Sequence, residues 1–151
     1  VLAFRREHYP ESSLANARSL ADQLLAAVSQ MIEEQSATAP VAAVGVAFPG
    51  LVNRHTQRAV SLPNLPDLSE LDLRREFAGR FGVPVYFDNN SNAAAYAEMS
   101  CGIANGVDDF LYLHIGSNVS AGLVIGGKLQ RGKSGLAGDI GQMNIYAEHL
   151  G

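Results

Sequence analysis

A short stretch of the sequence is crowded with amide and carboxylate side chains. It reads Asp88-Asn89-Asn90-Ser91-Asn92 and lies between an apolar run and an alanine-rich stretch. One or two such groups would cap a helix, and Asn90 and Ser91 are the candidates for that role. The surplus groups suit a polyhydroxylated ligand, because each buried hydroxyl needs a hydrogen-bond donor or acceptor. Local capping and binding of such a ligand remain equally open from the residues alone.

A second candidate site follows the small apolar run at residues 41–48. Gly50, soon after that run, would let a ligand approach the backbone closely because glycine has no side chain. Asn64 offers both a hydrogen-bond donor and an acceptor, which suits a sugar hydroxyl. The residues alone favour a simpler interpretation, in which a Pro-Gly turn is followed by an asparagine that bonds to its own loop.

The third candidate is a glycine-containing loop between two apolar runs, Gly116-Ser117-Asn118-Val119-Ser120-Ala121-Gly122. Loops of this kind bind phosphate when successive backbone N–H groups point at one anion. Only two glycines and no lysine are present in this loop. A plain hairpin turn is therefore the favoured interpretation.

Apolar periodicity predicts an α/β chain. A 3.6-residue stripe predicts a long helix over 11–35, and the apolar run at 41–48 predicts a strand that is covered on both faces. An irregular stretch follows from 51 to 68. Ser69 is predicted to cap the next helix and Gly82 to end it. The remaining predicted elements are a strand over 83–87, a helix over 92–99 and antiparallel strands over 109–115 and 119–125.

Composition narrows the functional classes. With 151 residues, the chain fits one domain or two small lobes. The net charge of −4 and the scattered basic residues argue against a general nucleic-acid surface. Cys101 is the single cysteine, so no internal disulfide forms and a reducing, cytoplasmic location is expected. No membrane partner is expected, because the sequence has no signal-peptide pattern and no apolar run of the ~20 residues that a membrane helix needs.

Three segments taken together resemble the ROK family (repressor, open reading frame, kinase), which contains bacterial sugar kinases and sugar-responsive repressors. The segments are 44–50, 84–98 and 135–143. The resemblance implies the actin-like ATPase (ribonuclease H-like) fold, with two lobes around a sugar cleft, incomplete in this chain. Residues 1–90 would form the N-terminal α/β lobe without its first phosphate-binding strand, and residues 91–151 would begin the C-terminal lobe.

The clearest departure from the family's kinases falls at Asn90. Those kinases open the alanine-rich helix with an Asn-Asp pair, whose Asp takes the proton from the attacking sugar hydroxyl. Here the pair reads Asn89-Asn90, and an amide cannot act as a general base near neutral pH. The family's phosphate loop, Gly-Thr-Gly-Ile-Gly, is reduced to a weak match at Gly116 and Ser117. No catalytic residue and no cofactor are therefore expected.

A second departure concerns the family's Glu-x-Gly-His segment, which reads Asp139-Ile140-Gly141-Gln142 here. In the family, the Glu contacts the sugar and the His is often a zinc ligand. Asp139 would still accept a hydrogen bond from a hydroxyl. Gln142 is a poor zinc ligand compared with imidazole, so no metal site is expected.

These departures favour a sugar-binding, effector-sensing domain of a ROK-type transcriptional regulator, without kinase activity and without its DNA-binding winged helix. DNA would be reached only through a missing N-terminal domain, and a homodimer is expected, in which sugar binding closes the lobes. An ATP-dependent sugar kinase of the glucokinase type is the alternative, and a dimerisation fragment without a ligand is a third. The residues expected to line the sugar are Gly50, Asn64, Asn89, Asn90, Asp139 and Gln142.

Overall fold

The structure of the protein is a computed structural model that describes residues 16–36, 39–53, 56, 58–61, 65–116 and 118–143. The chain divides into two compact units, Val1–Asn89 and Asn90–Gly151. None of the helices in the described ranges combines the length and the apolar character needed to cross a bilayer.

The described part of the first unit begins with a long amphipathic helix. Helix α1 spans Ala17–Ser36, and its buried stripe centres on Leu20 and Ala21. Partly buried Leu24 and Val28 continue the stripe at helical spacing. The predicted start of this helix, at residue 11, lies outside the described residues. The predicted helix is confirmed over the part that the structure describes.

Three strands follow α1 in the sequence. Strand β1 spans Val44–Phe48, within the predicted run at 41–48. Two short antiparallel strands come next, β2 at Leu51–Val52 and β3 at Ala59–Ser61. They lie inside the stretch that the sequence predicts to be irregular, because such short strands show too little alternation to be recognised.

Helix α2 spans Leu73–Phe81 and is capped by Asp72, whose carboxylate accepts a backbone N–H of the first turn at 3.1 Å. The prediction that Ser69 caps this helix is wrong. The backbone N–H of Ser69 donates to the carboxylate of Asp67 in a tight turn, and the helix begins later. Gly82 ends α2 with a φ of 66°, the left-handed conformation predicted for it.

Strand β4, Val85–Asn89, pairs in parallel with β1, and the register places Phe48 opposite Asn89. The parallel α/β arrangement predicted for this half is confirmed. Burial alternates along β1, so that Gly45 and Ala47 are exposed while Phe48 is buried. The predicted coverage of both faces is therefore wrong for the described residues, because the helices described in this unit pack on one face only.

The core of the first unit lies where α1 and α2 cover this sheet. Phe48 and Phe87 stack with their ring centroids 5.5 Å apart, and Phe77 of α2 meets Phe87 edge-on at 5.8 Å. Arg18 on α1 holds the Glu76 carboxylate of α2 in a two-point ion pair, with N···O distances of 2.7 and 3.0 Å. Ring packing holds α2 on the sheet, and the ion pair links α1 to α2.

Replacing Asp72 with alanine is expected to lower the free energy of unfolding by about 1 kcal/mol, because a helix N-cap contributes roughly 0.5–2 kcal/mol. The backbone N–H of Arg75, and then the side chain of Arg58, hold the pKa of Asp72 below its ordinary value of 3.8. A carboxylate with a lowered folded-state pKa stabilises the fold at pH values above the ordinary pKa of the group. It loses this effect as the pH falls through the folded-state pKa.

Urea unfolding at neutral pH and at about pH 2 measures this contribution. The difference in stability between the unsubstituted protein and Asp72→Ala should shrink in acid. Asp72→Asn is the matched control, because it can still cap the helix but cannot titrate. An equal difference at both pH values would contradict the assigned role of the Asp72 carboxylate.

In the described part of the second unit, one helix packs on a three-stranded antiparallel sheet. Helix α3 spans Asn90–Cys101 and begins earlier than the predicted residue 92. The sheet has the order β5-β6-β7, from strands β5 at Phe110–Ile115, β6 at Val119–Ile125 and β7 at Lys128–Gln130. The two predicted antiparallel strands are confirmed, and β7 is a further short strand.

The turn between β6 and β7 consists of Gly126 and Gly127, which have φ values of 57° and 66°. A two-residue hairpin turn with positive φ at both positions favours glycine, because a side chain is strained there. The strand beyond it was missed because its three residues are too few to show a pattern.

Helix α3 lies directly on β6 because Gly122 has no side chain. A β-carbon built at Gly122 would lie 2.5 Å from the Cβ of Ala95 on α3 and against the carbonyl oxygen of Ser91. Next to this contact, the buried hydroxyls of Ser91 and Ser120 are hydrogen-bonded at 2.6 Å. A close helix-to-strand contact, with a buried bond between two hydroxyls beside it, thus joins α3 to β6.

Candidate functional site

The structure brings Gly50 and Asn89 together at the carboxyl ends of β1 and β4. The side-chain Nδ2 of Asn89 donates a hydrogen bond to the carbonyl oxygen of Gly50 at 2.7 Å. Both residues are half-buried. The carboxyl edge of a parallel sheet is where α/β folds place their ligands. The amide of Asn89 therefore fixes the backbone of the Pro-Gly turn at the edge where a ligand would bind.

The polar cluster at residues 88–92 spans the boundary between the two units, which lies between Asn89 and Asn90. In the first unit, the Asp88 carboxylate accepts the backbone N–H of Asn89 at 2.9 Å. In the second unit, the side-chain oxygen of Asn90 accepts the backbone N–H of Ser91 at 2.9 Å. Ser91 and Asn92 are buried, whereas Asn90 is half-buried. Of the polar side chains in the first turn of α3, Asn90 is the one that keeps access to solvent.

Gly116 begins the connection between β5 and β6. Its backbone N–H donates to the carbonyl oxygen of Asn118 at 3.0 Å, inside the hairpin that aligns Ile115 with Val119. Ser117 lies outside the described residues. The interpretation of this loop as a hairpin turn is confirmed. The N–H of Gly116, which a phosphate-binding loop would offer to an anion, is bonded within the turn.

Asp139 stands at the start of a short 3-10 turn, Ile140–Gln142. Its backbone N–H donates to the carbonyl oxygen of Leu136 at 3.1 Å. Its carboxylate is exposed and makes no capping bond to the turn, so it is accessible to a ligand. Gln142 belongs to the same turn, but its side chain is outside the described part of the structure, as is the whole of Asn64.

Comparison with known proteins places the chain in a family. A model of the ROK family matches residues 5–150. The chain belongs to the ROK family. The putative xylose repressor of Caldicellulosiruptor sp. (strain Rt8B.4) is 34% identical over 129 residues, which cover 82% of this chain and 32% of that protein. The glucokinase of Streptomyces coelicolor is 29% identical over 129 residues, which cover 85% of this chain and 40% of that protein. The chain thus spans about a third of the length of the xylose repressors with which it aligns.

Solved structures of ROK proteins share the architecture of this chain. A ROK glucokinase from Streptomyces griseus, solved with glucose and AMPPNP, has a TM-score of 0.74 and 30% identity, over 86% of this chain and 41% of that chain. A ROK transcriptional regulator, a homolog of the E. coli MLC protein, has a TM-score of 0.78 and 25% identity, over 88% of this chain and 34% of that chain. The predicted α/β, actin-like ATPase fold is confirmed.

Two groups that the ROK resemblance implies, a nucleotide phosphate and a zinc ion, are tested by the residues at their positions. At the phosphate position, the N–H of Gly116 is already bonded to Asn118 and no lysine is present in the loop. At the zinc position, Gln142 stands in place of the family's His, and an amide is a poor zinc ligand. No group of His, Cys, Asp and Glu side chains within the described ranges is arranged to hold a metal. At each position, a residue that would hold the group in the family's pattern is thus replaced or already bonded.

Two residues beside the ROK candidate site were missed by sequence reasoning. Ser120 bonds to the hydroxyl of Ser91 inside the second unit, and the carbonyl oxygen of Gly138 accepts the backbone N–H of Ala121 at 2.7 Å. Small residues two positions apart on one strand face, here Ser120 and Gly122, are a signal of a closely packed helix. No local pattern signals the contact between Gly138 and Ala121.

Proposed function

We propose that this region of a ROK protein binds a sugar as an effector and does not transfer phosphate. The observation that carries the proposal is Asn90, a carboxamide at the position where the family resemblance places the catalytic Asp of ROK kinases. Its side-chain oxygen accepts a backbone N–H at the start of α3. A carboxamide has no basic site near neutral pH, so Asn90 can bond to a sugar hydroxyl but cannot take its proton.

Similarity to sugar-responsive repressors supports the regulatory part of the proposal. The putative xylose repressor of Caldicellulosiruptor sp. (strain Rt8B.4) and the xylose repressor of Bacillus subtilis are each 34% identical to this chain over the aligned residues. A sugar changes the state of a regulator by binding one conformation more tightly than the other. In the proposal, residues 1–90 and 91–151 belong to the N-terminal and C-terminal lobes of a cytoplasmic homodimer, and DNA is contacted through another part of the complete gene product.

The proposed sugar contacts combine amide and carboxylate groups. Asn90 is half-buried and offers both donor and acceptor atoms, and the exposed carboxylate of Asp139 accepts hydrogen bonds from hydroxyls. These are the groups that a polyhydroxylated ligand needs when its hydroxyls leave water. The other proposed contacts rest on the family resemblance and are Gly50, Asn64, Asn89 and Gln142.

A sugar kinase is the second candidate function. It is favoured by the similarity to glucokinases, which extends over 85% of this chain for the Streptomyces coelicolor enzyme. This function would require another group to replace Asn90 as the general base. It would also require ATP to bind at a loop in which the N–H of Gly116 is bonded to Asn118.

Calorimetric titration with D-xylose, D-glucose and N-acetylglucosamine tests the proposed function. We expect at least one of these sugars to bind both this chain and the complete gene product at millimolar concentration or below. Asn90→Ala should weaken that binding about threefold to tenfold, since a neutral hydrogen bond contributes roughly 0.5–1.5 kcal/mol. Asn105→Ala, at an exposed asparagine in the loop after α3, is the matched control. If the complete gene product is folded and none of these sugars gives binding heat, the proposal is contradicted.

A further inference from the structure

One half of strand β6 is flanked by a turn instead of a strand. Strand β7 pairs with β6 only over Leu123–Ile125. Beside the first half of β6 lies the segment 138–141, where the backbone N–H of Ala121 donates to the carbonyl oxygen of Gly138 at 2.7 Å. The same carbonyl accepts the N–H of Ile140 at 2.9 Å. The turn that contains Asp139 is therefore bonded to the sheet through the backbone oxygen of Gly138.

Two glycines allow this turn to lie flat on the strand. A β-carbon built at Gly138 would overlap the carbonyl oxygen of Ala121, and Gly138 also has a φ of 95°, which disfavours any side chain. A β-carbon at Gly141 would lie 2.5 Å from the carbonyl oxygen of Val119. Both obstacles are backbone atoms of β6, which cannot move aside as a flexible side chain would. Any larger residue at either position must lift the turn from the strand.

Asp139 lies between these two glycines and depends on them for its position. Its carboxylate is exposed and makes no capping bond to the turn, while its backbone N–H is bonded to Leu136. The backbone of the turn thus sets the place from which the side chain of Asp139 extends. The position of that backbone is set in turn by the contacts of Gly138 and Gly141 with β6.

We propose that Gly138 and Gly141 are positioning residues that hold the Asp139 carboxylate where it accepts hydrogen bonds from the hydroxyls of a sugar. Their role rests on the proposed sugar binding. Gly141 gives the cleaner test because its φ is not in the left-handed region, so an alanine there acts through the contact with Val119 alone. Gly45→Ala is the matched control, since a β-carbon at Gly45 meets nothing within 4 Å.

Calorimetry with D-xylose and D-glucose on the complete gene product tests the proposal. Gly141→Ala should weaken sugar binding about tenfold to hundredfold, the range expected when a hydrogen bond to a charged group is lost. Gly45→Ala should bind as the unsubstituted protein does. Thermal unfolding of each variant shows whether it is folded at the titration temperature. Unchanged affinity in folded Gly141→Ala overturns the proposal.

A double-mutant cycle separates positioning from a general structural effect. If Gly141 acts through Asp139, then Gly141→Ala should cause no further loss of affinity in an Asp139→Ala background. If the alanine only loosens the fold, its loss of affinity should be the same in both backgrounds, and that additive result overturns the proposal. Failure of the proposed function looks different, because the unsubstituted protein would then bind none of the sugars.

Hydrogen exchange supplies a measurement that does not require Gly141→Ala to fold. The amide of Ala121 is protected only while the turn is seated on β6, since its partner is the carbonyl oxygen of Gly138. Sugar bound to Asp139 should favour the seated turn and raise the protection of this amide in the unsubstituted protein. The rise should disappear in Asp139→Ala. Sugar binding without any change at Ala121 overturns the proposal.

Discussion

With saturating sugar and ATP, this protein is expected to release ADP at least about 10²-fold more slowly than a ROK glucokinase assayed beside it, because loss of a general base costs ~10²–10⁴-fold. Asn90 occupies the start of α3, where its side-chain oxygen accepts the N–H of Ser91. It offers no site for the proton of an attacking hydroxyl. The phosphate loop adds a second obstacle, because the N–H of Gly116 is bonded to Asn118.

A coupled ADP-release assay on the complete gene product measures this rate with D-glucose and D-xylose as substrates. Asn90→Asp is the informative variant, because it returns a carboxylate to the base position and leaves the loop at Gly116 unchanged. We expect it to stay well below the glucokinase, since the N–H of Gly116 would remain bonded to Asn118 and unavailable to phosphate. Turnover of the unsubstituted protein at the rate of the glucokinase, abolished in Asn90→Ala, would establish a kinase instead.

Gly122→Ala is expected to lower the stability of the second unit by at least about 2 kcal/mol, the sum of overpacking and of a disturbed buried hydrogen bond. The added β-carbon would lie 2.5 Å from the Cβ of Ala95 and against the carbonyl oxygen of Ser91. These atoms belong to the body of α3, so the helix must move away from β6. That movement would also separate the hydroxyls of Ser91 and Ser120, which are 2.6 Å apart and buried.

Hydrogen exchange at the amides of β6, together with urea unfolding, measures this loss. Gly45→Ala is the control, because it makes the same change in a strand where a β-carbon meets nothing within 4 Å. We expect Gly45→Ala to be neutral or to stabilise the first unit by about 0.5 kcal/mol, since glycine weakens a strand interior relative to alanine. Equal stability of Gly122→Ala and the unsubstituted protein would contradict the close contact between α3 and β6.

The prediction that Asn90 replaces a general base needs only the order of the residues. The hydrogen-bond partner of Asn89 and the burial of Ser91 and Asn92 could be found only from the structure. The local pattern at 88–92 shows a surplus of polar groups but not their division. Ser91 and Asn92 are buried in the second unit, whereas the side-chain amide of Asn89 donates a hydrogen bond to the carbonyl oxygen of Gly50. That bond joins residues far apart in the chain, at a position set by the pairing of β1 with β4.

Residue order alone was enough to predict the α/β class, the end of α2 at Gly82, the hairpin between β5 and β6, and membership of the ROK family. These features follow from local periodicity, from backbone preferences of single residues and from the order of three segments. The structure was needed to show that the described residues leave one face of the β1–β4 pair uncovered, that Asp72 caps α2, and that Gly138 and Gly141 lie against the backbone of β6. Such features depend on contacts between backbone atoms that are distant in sequence, and short-range patterns of residue type do not specify those contacts.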